Sequence, residues 1–324
     1  MDTQGFREFL MERELTEDEI TASIGLTEKF EAFFNTTGRS APIKEDINAF
    51  SIIMIDEGIN TLPNYYALAR YGRFIRKDDI YVEVVDLLDG GEAMGNLHQK
   101  VGEVLGNERQ SSVFEGIDLP SMGTPNWEKV GITRQVMTRL EEVADSDECD
   151  LIFSDSLRDL EEAWYEDDKK LYQECSSIDE FLDKNARNFI AQLENIRAEG
   201  GLFFTQEITE EVVEYVRNEP LIARGVREGD VLYEVKIPHQ TKEFLAEADV
   251  HKKRYYYCHC PWVKESLKNG DSDIPARFCD CSAGFHKKRW EVIFDQPLES
   301  EIVESVLKGD KWCKIGIHLP DGGK

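Results

Sequence analysis

The segment YYYCHCPW (Tyr255 to Trp262) places Cys258 and Cys260 around His259, and FCDCSAGF (Phe278 to Phe285) repeats the Cys-x-Cys spacing with Cys279 and Cys281. Four of the chain's seven cysteines therefore fall into two matching pairs. Such pairs are open to three chemistries. Four thiolates make a complete tetrahedral set for zinc at about 2.3 Å each, so Cys258, Cys260, Cys279 and Cys281 are candidate metal ligands and Zn the candidate cofactor. A thiol near lysine, arginine or a helix N-terminus loses its proton more readily and becomes a nucleophile. In that reading Cys258 is the catalytic residue, with His259 or Glu207 handling the proton. Free cysteines also fill cores as small apolar residues, and this third reading stands beside the other two. Zinc sites more often use Cys-x-x-Cys, and cysteines two apart on a straight strand have Cα atoms roughly 6.6 Å apart. Chelation by both then needs a bend, which Pro261 and the small CSAG run can supply. Cys149, Cys175 and Cys313 stand alone and read as core.

The surroundings of the pairs are unusual for this chain. Between His251 and Trp290 nine basic residues stand with four acidic ones, whereas the whole chain has a formal charge of −27. Positive potential there either favours thiolates or attracts an anionic ligand. Arg227, Glu228 and Lys236 precede the pairs, and Tyr256, Ser282 and Lys287 lie within or beside them; these six are the candidate ligand-binding residues. The acidic excess elsewhere disfavours nucleic acid as a partner, because Lys and Arg supply most non-specific affinity for phosphate. No run approaches 18 apolar residues, so no membrane partner is expected and the reading is a soluble, cytoplasmic protein. Walker loops, dinucleotide glycine fingerprints, HExxH and nucleophile elbows are absent from the sequence.

The elements that would position these groups fall into two blocks, giving an expected α+β fold. In this reading a helical bundle at the N-terminus is followed by a mixed or antiparallel sheet with packed helices. Residues 1–115 form the helical domain, 116–131 a linker rich in Gly and Pro, and 132–324 the cysteine-containing domain. Thr16 and Glu19 have capping-box spacing, with Ile20, Ile24, Phe30, Phe33 and Phe34 on one helical face. Ser177 and Thr209 are expected N-caps of later helices, the first closed by Gly200 and Gly201. RYYYCHCP and ARFCDC read as strands, which would put Tyr256, Cys258 and Cys260 on one face and Arg277, Cys279 and Cys281 on another. PWVKESLKNG reads as a helix with Pro261 at its first position. The terminal PLESEIVESVLKGDKWCKIGIHLP reads as two strands joined around KGDK.

Two resemblances add to this. FREFLMERELTEDEITASIGLTEKFEAFF with KEDINAFSIIMIDEGINTLPNYYALARYGRFI resembles the SAM-like helical core-binding domain of phage integrases, up to roughly residue 80. Residues 1–125 carry 11 basic and 23 acidic side chains, so the implied use here is engagement of a protein partner rather than DNA. The segments REGDVLYEVKIP, RYYYCHCPWVKESL, IPARFCDCSAGFHKKRWEVIF and PLESEIVESVLKGDKWCKIGIHLP look like a bacterial family allied to the aminothiazoline carboxylate hydrolase-like proteins. They are more distantly similar to vinyl-reductase-type small-molecule-binding domains. Cys258, Cys260, Cys279, Cys281, Gly284, Gly309, Asp310 and Cys313 match that pattern. It also implies a Cys and a downstream His within DECDLIFSDSLRDL, where this chain has Cys149 and Arg158. The expected function is binding, and on one reading hydrolysis, of a small anionic or sulfur-containing compound. The alternative is a non-enzymatic ligand, metal or redox sensor whose helical domain contacts a protein.

Overall fold

The computed structural model describes residues 1–270 and 272–320. The fold is α+β: the N-terminal region is helical, and the strands, in two small antiparallel sheets, lie towards the C-terminus. Two compact units form, and each is built from two stretches of chain. One comprises Met1–Gly91 and Leu119–Lys129; the other comprises Glu92–Asp118 and the chain from Val130 onward.

The first unit holds α1 (Thr3–Met11), α2 (Glu17–Thr36), α3 (Lys44–Asp56), α4 (Leu62–Phe74) and α5 (Asp78–Leu88). Thr16 caps α2 as expected. Its side chain accepts from Glu19 N while the Glu19 carboxylate accepts from Thr16 N at 2.8 Å, so two donors at the helix start are satisfied reciprocally. The face carrying Ile20, Ile24, Phe30 and Phe34 is buried. It joins an aromatic core in which Phe6 meets Tyr71 edge-on at 5.4 Å and Phe30 meets Phe50 at 5.3 Å. Each such pair contributes about 0.5–1.5 kcal/mol beyond its buried area. The segment 119–129 is fastened to this unit by polar contacts: Ser51 Oγ donates to Gly123 O at 2.7 Å, and Tyr65 Oη to Met122 O at 3.2 Å. Gly123 has φ +82°, and a Cβ there would lie 1.7 Å from Tyr65 Oη, so only glycine fits.

The second unit begins with α6 (Ala93–Leu105) and α7 (Asn107–Phe114). Asp89–Glu92 separates α6 from α5, and Gly90 there takes φ +59°. Next come α8 (Asn126–Val143), α9 (Ser146–Phe153), α10 (Glu166–Glu174) and α11 (Ile178–Glu199), the last capped by Ser177 and closed by left-handed Gly200. A short hairpin, β1 (Leu202–Phe203) and β2 (Gln206–Glu207), leads to α12 (Glu210–Asn218), capped by Thr209, and α13 (Pro220–Ala223). Then follow β3 (Val226–Glu228), β4 (Val231–Val235), α14 (Thr241–Ala246), α15 (Val250–Tyr257), α16 (Cys281–Phe294), β5 (Ser300–Glu304) and β6 (Lys314–His318). The main sheet has the order β3-β4-β6-β5 and every neighbouring pair is antiparallel. Its Leu232, Ile315 and Ile317 share a core with Trp290 of α16 and Phe181 of α11. The terminal segment is paired as expected, with a register shift between Ile302 and Glu304.

Three local expectations are corrected. The segment before the first cysteine pair is helix α15, not a strand: Asp249 accepts from His251 N and Lys252 N and starts the helix before three tyrosines whose own preference is β. The second pair lies at a 3₁₀ turn, Ala276–Asp280, running directly into α16, so Cys281 is that helix's first residue. The alternating faces expected for Cys258/Cys260 and Cys279/Cys281 therefore do not exist. Finally, the helix expected from Pro261 is a turn followed by a short 3₁₀ helix, Lys264–Leu267.

Candidate functional site

The two cysteine pairs meet even though neither is on a strand. Cys258 follows the last turn of α15, and Cys260 lies two residues on, outside any helix or strand; Cys279 is the penultimate residue of the 3₁₀ turn and Cys281 opens α16. Cys258 and Cys279 are 5% and 8% exposed and belong to one apolar core, against which Cys260, Cys281 and Cys313 also pack. The five sulfurs are close enough to repel one another as anions: Cys258 with Cys313, Cys260 with Cys258 and Cys281, and Cys279 with Cys313, Cys258 and Cys260. Cys313, expected as an isolated core residue, is thus a fifth member. Ser305, which is fully buried, has its hydroxyl within hydrogen-bonding reach of Cys279 and of Cys313.

Burial decides the state of these thiols. It pushes Cys258 up to about 12, Cys260 and Cys279 well above the ordinary thiol range, and Cys281 and Cys313 upward as well. Opposing effects are present but smaller. Backbone N–H groups of Cys260, Trp262, Leu157 and Val306 favour negative sulfur at Cys258, Cys260, Cys281 and Cys313 respectively. Lys236 acts on Cys258, Cys281 and Cys313; Lys264 acts on Cys258; Arg158 acts on Cys260 and Cys281. The expectation that the basic segment would make these thiols acidic is reversed, because desolvation outweighs the cations.

His259, between Cys258 and Cys260 in the chain, packs against a second histidine, His239. His259 is kept neutral chiefly by burial, then by His239 and Lys236. Its Nε2–H donates to Ile237 O at 2.7 Å, which leaves Nδ1 as an acceptor. Its ring lies 5.1 Å from that of His239 at 80°. Lys264, 7% exposed, donates to His239 Nδ1 at 2.8 Å and to Gln240 Oε1 at 3.0 Å. That contact fixes the proton of His239 on Nε2, which faces Thr205 Oγ1 at 3.4 Å on the β1–β2 turn. Gln206 anchors the same turn, donating to Pro238 O and accepting from Thr241 N.

The remaining sequence candidates divide. Lys236 belongs to the cluster, its Nζ lying 4.0 Å from the centroid of the Phe285 ring. Tyr256 is partly buried on α15 against Tyr255, and Ser282 lies partly buried in the first turn of α16. Lys287 is buried on α16 but pairs with Asp155 at 3.0 Å and Glu291 at 3.4 Å. Arg227 and Glu228 are exposed on β3, with Arg227 donating to Gly229 O. Glu207 is exposed and paired with Lys242 at 2.8 Å, so its carboxylate points to solvent rather than into the buried thiols. Sequence reasoning did not single out His239, Lys264 or Ser305 for the site. Arg158 drew notice only as a departure from a pattern; it donates to Glu92 Oε1 at 2.8 Å while acting on two of the sulfurs.

Loop 155–158 reaches α16 because Gly284 has no side chain: a Cβ there would lie 2.3 Å from Ser156 N and 2.4 Å from Asp155 C. The arrangement can therefore hold negative charge among protonated thiols, through cations and N–H groups brought from several elements. Among the described residues, no group of three or more His, Cys, Asp and Glu side chains is arranged to hold a metal ion. No family model matches the chain, and no curated protein or solved structure matches it either.

Proposed function

We propose that the second unit is a binding module whose ligand, a small anionic, sulfur-containing molecule, is held at the thiol–histidine cluster. One observation carries this reading. Lys236, Lys264 and Arg158, with four backbone N–H groups, favour negative charge at a place where burial keeps the thiols protonated. A carboxylate ligand supplies that charge without ionising a sulfur, and neutral S–H groups suit contact with a polarisable ligand atom. The resemblance to aminothiazoline carboxylate hydrolase-like proteins points to the same ligand class. Binding is favoured over hydrolysis, because attack by Cys258 would first require its proton to leave against the full effect of burial.

The test uses an aminothiazoline carboxylate and its decarboxylated analogue in thermal unfolding of the full chain. The carboxylate should raise the midpoint, with about 2.7 kcal/mol of stabilisation at a hundredfold excess over Kd. The analogue should not, and Lys236→Met or Lys264→Met should weaken the effect. Equal shifts with both compounds, or none with either, would refute the reading.

A second reading has its own support. N–H groups near the sulfurs of Cys258, Cys260 and Cys281, and a histidine whose other ring nitrogen donates to a carbonyl, are what surrounds thiolate–metal sites. Elemental analysis of the protein purified without chelators separates the two. About one zinc per chain, with stability lost on chelation, would favour Cys258, Cys260, Cys279 and Cys281 as ligands.

A further inference from the structure

The α3–α5 contact of the first unit contains a polar pair, Asn48 buried and Glu83 half-buried, that none of the readings above uses. Asn48 of α3 is 4% exposed; its Nδ2 donates to Lys44 O at 3.1 Å and to Glu83 Oε1 of α5. Lys44 O can only accept, so the amide cannot turn over without losing that bond. Its Oδ1 is buried and has no hydrogen-bond partner among the described residues. Among the described residues Glu83 receives one N–H, whereas an ionised carboxylate is well satisfied by two or three donors.

The charges around it do not make up the difference. Asp86 on the same helix and Glu45 on α3 oppose ionisation, while Lys44 on α3 favours it. Asp46, also on α3, is bound to Arg39. From α4, the other helix packed on α5, Arg73 is engaged by Asp78 at 2.6 Å. Burial is the largest influence, and it pushes the Glu83 carboxyl up to about 7.

We propose that this contact is a proton-operated latch: α3 and α5 close on a neutral Glu83 and loosen when it ionises. The direction follows from linkage. Glu83 holds its proton more tightly in the folded chain than at the ordinary value of 4.5. Its stabilisation is thus complete below about pH 4.5 and is lost as the pH rises to about 7.

Hydrogen exchange of the full chain tests this, with α3 and α5 amides followed at about pH 5.5 and about pH 8 and corrected for intrinsic rates. Protection should fall roughly thirtyfold between them, because about 1.5 units of the pKa difference lie above pH 5.5. Glu83→Gln, which keeps the shape and removes the charge, should hold the low-pH protection at both. Because that substitution can also repack the contact, the carboxyl of unaltered Glu83 is titrated directly by carbon NMR, with a midpoint near 7 expected. A midpoint at the ordinary carboxyl value, the same pH response in Glu83→Gln, or lost protection at both pH values in that variant would overturn the latch.

Discussion

Cys258 lies three residues from Tyr255 and two from Cys260, yet its behaviour is set by what surrounds it in space. With its proton affinity pushed up to about 12, the native thiol ionises far less than in an unfolded chain, where its ordinary value is 9.0. We expect the native protein at neutral pH to react with a disulfide reagent at Cys258 on the order of a hundredfold more slowly than the unfolded chain. Comparing labelling rates with and without denaturant, with the labelled cysteine identified by peptide mapping, checks this; equal rates would mean the site is open. The sign of the linked stability is fixed by the same shift. Ionisation opposes folding here, so this contribution is present below about pH 9 and lost as the pH climbs towards 12. At this scale the sequence was half legible. The repeated Cys-x-Cys spacing announced that the pairs belong together, and they do meet. His239, Lys264, Arg158 and Ser305 come from distant parts of the chain with no spacing between them to read. Cys313 looked solitary for the same reason.

Elements were most legible where a short local signal dictates them. Thr16 with Glu19, Ser177, Thr209 and Gly200 mark real helix ends because capping involves residues only a few positions apart. The tyrosine run before Cys258 misled, because the Asp249 cap and burial of Arg254 and Tyr257 on α15 outweigh β preference. Glycines separate the two situations sharply. Gly284 sits against the backbone of Asp155 and Ser156, which cannot yield as a side chain would. Gly284→Ala should destabilise the protein by about 1–3 kcal/mol through overpacking. Its displacement of loop 155–158 should also weaken the ligand binding proposed for the site of Arg158. Gly25, exposed within α2, has nothing within 4 Å of an added Cβ. Gly25→Ala should stabilise by about 0.5–1 kcal/mol. Denaturant unfolding of both variants measures the contrast, and matching effects would show that the close approach at Gly284 is not what constrains it.

At the scale of the molecule, the order of stretches along the chain is what composition could not convey. The Gly- and Pro-rich segment read as a linker contributes Leu119–Lys129 to the first unit, whereas Glu92–Asp118 belongs to the second. A fragment ending at residue 115 would lose the carbonyls of Met122 and Gly123 that receive Tyr65 and Ser51. It would also expose Leu97, Val101, Leu105 and Val113, which the intact chain buries. We expect that fragment to aggregate or to melt well below the full chain, as circular dichroism and light scattering would record; a soluble, equally stable fragment would contradict the composition of the units. The same arrangement has a consequence for the chain as it is made. The apolar face of α6 and α7 belongs to a core that also includes Val306 and Leu307, which are synthesised roughly 190 residues after it. At roughly 5–20 residues per second that face waits about 10–40 s for them. During that interval α8 and α9 cover the hairpin only in part, which makes the emerging chain a natural client for a chaperone.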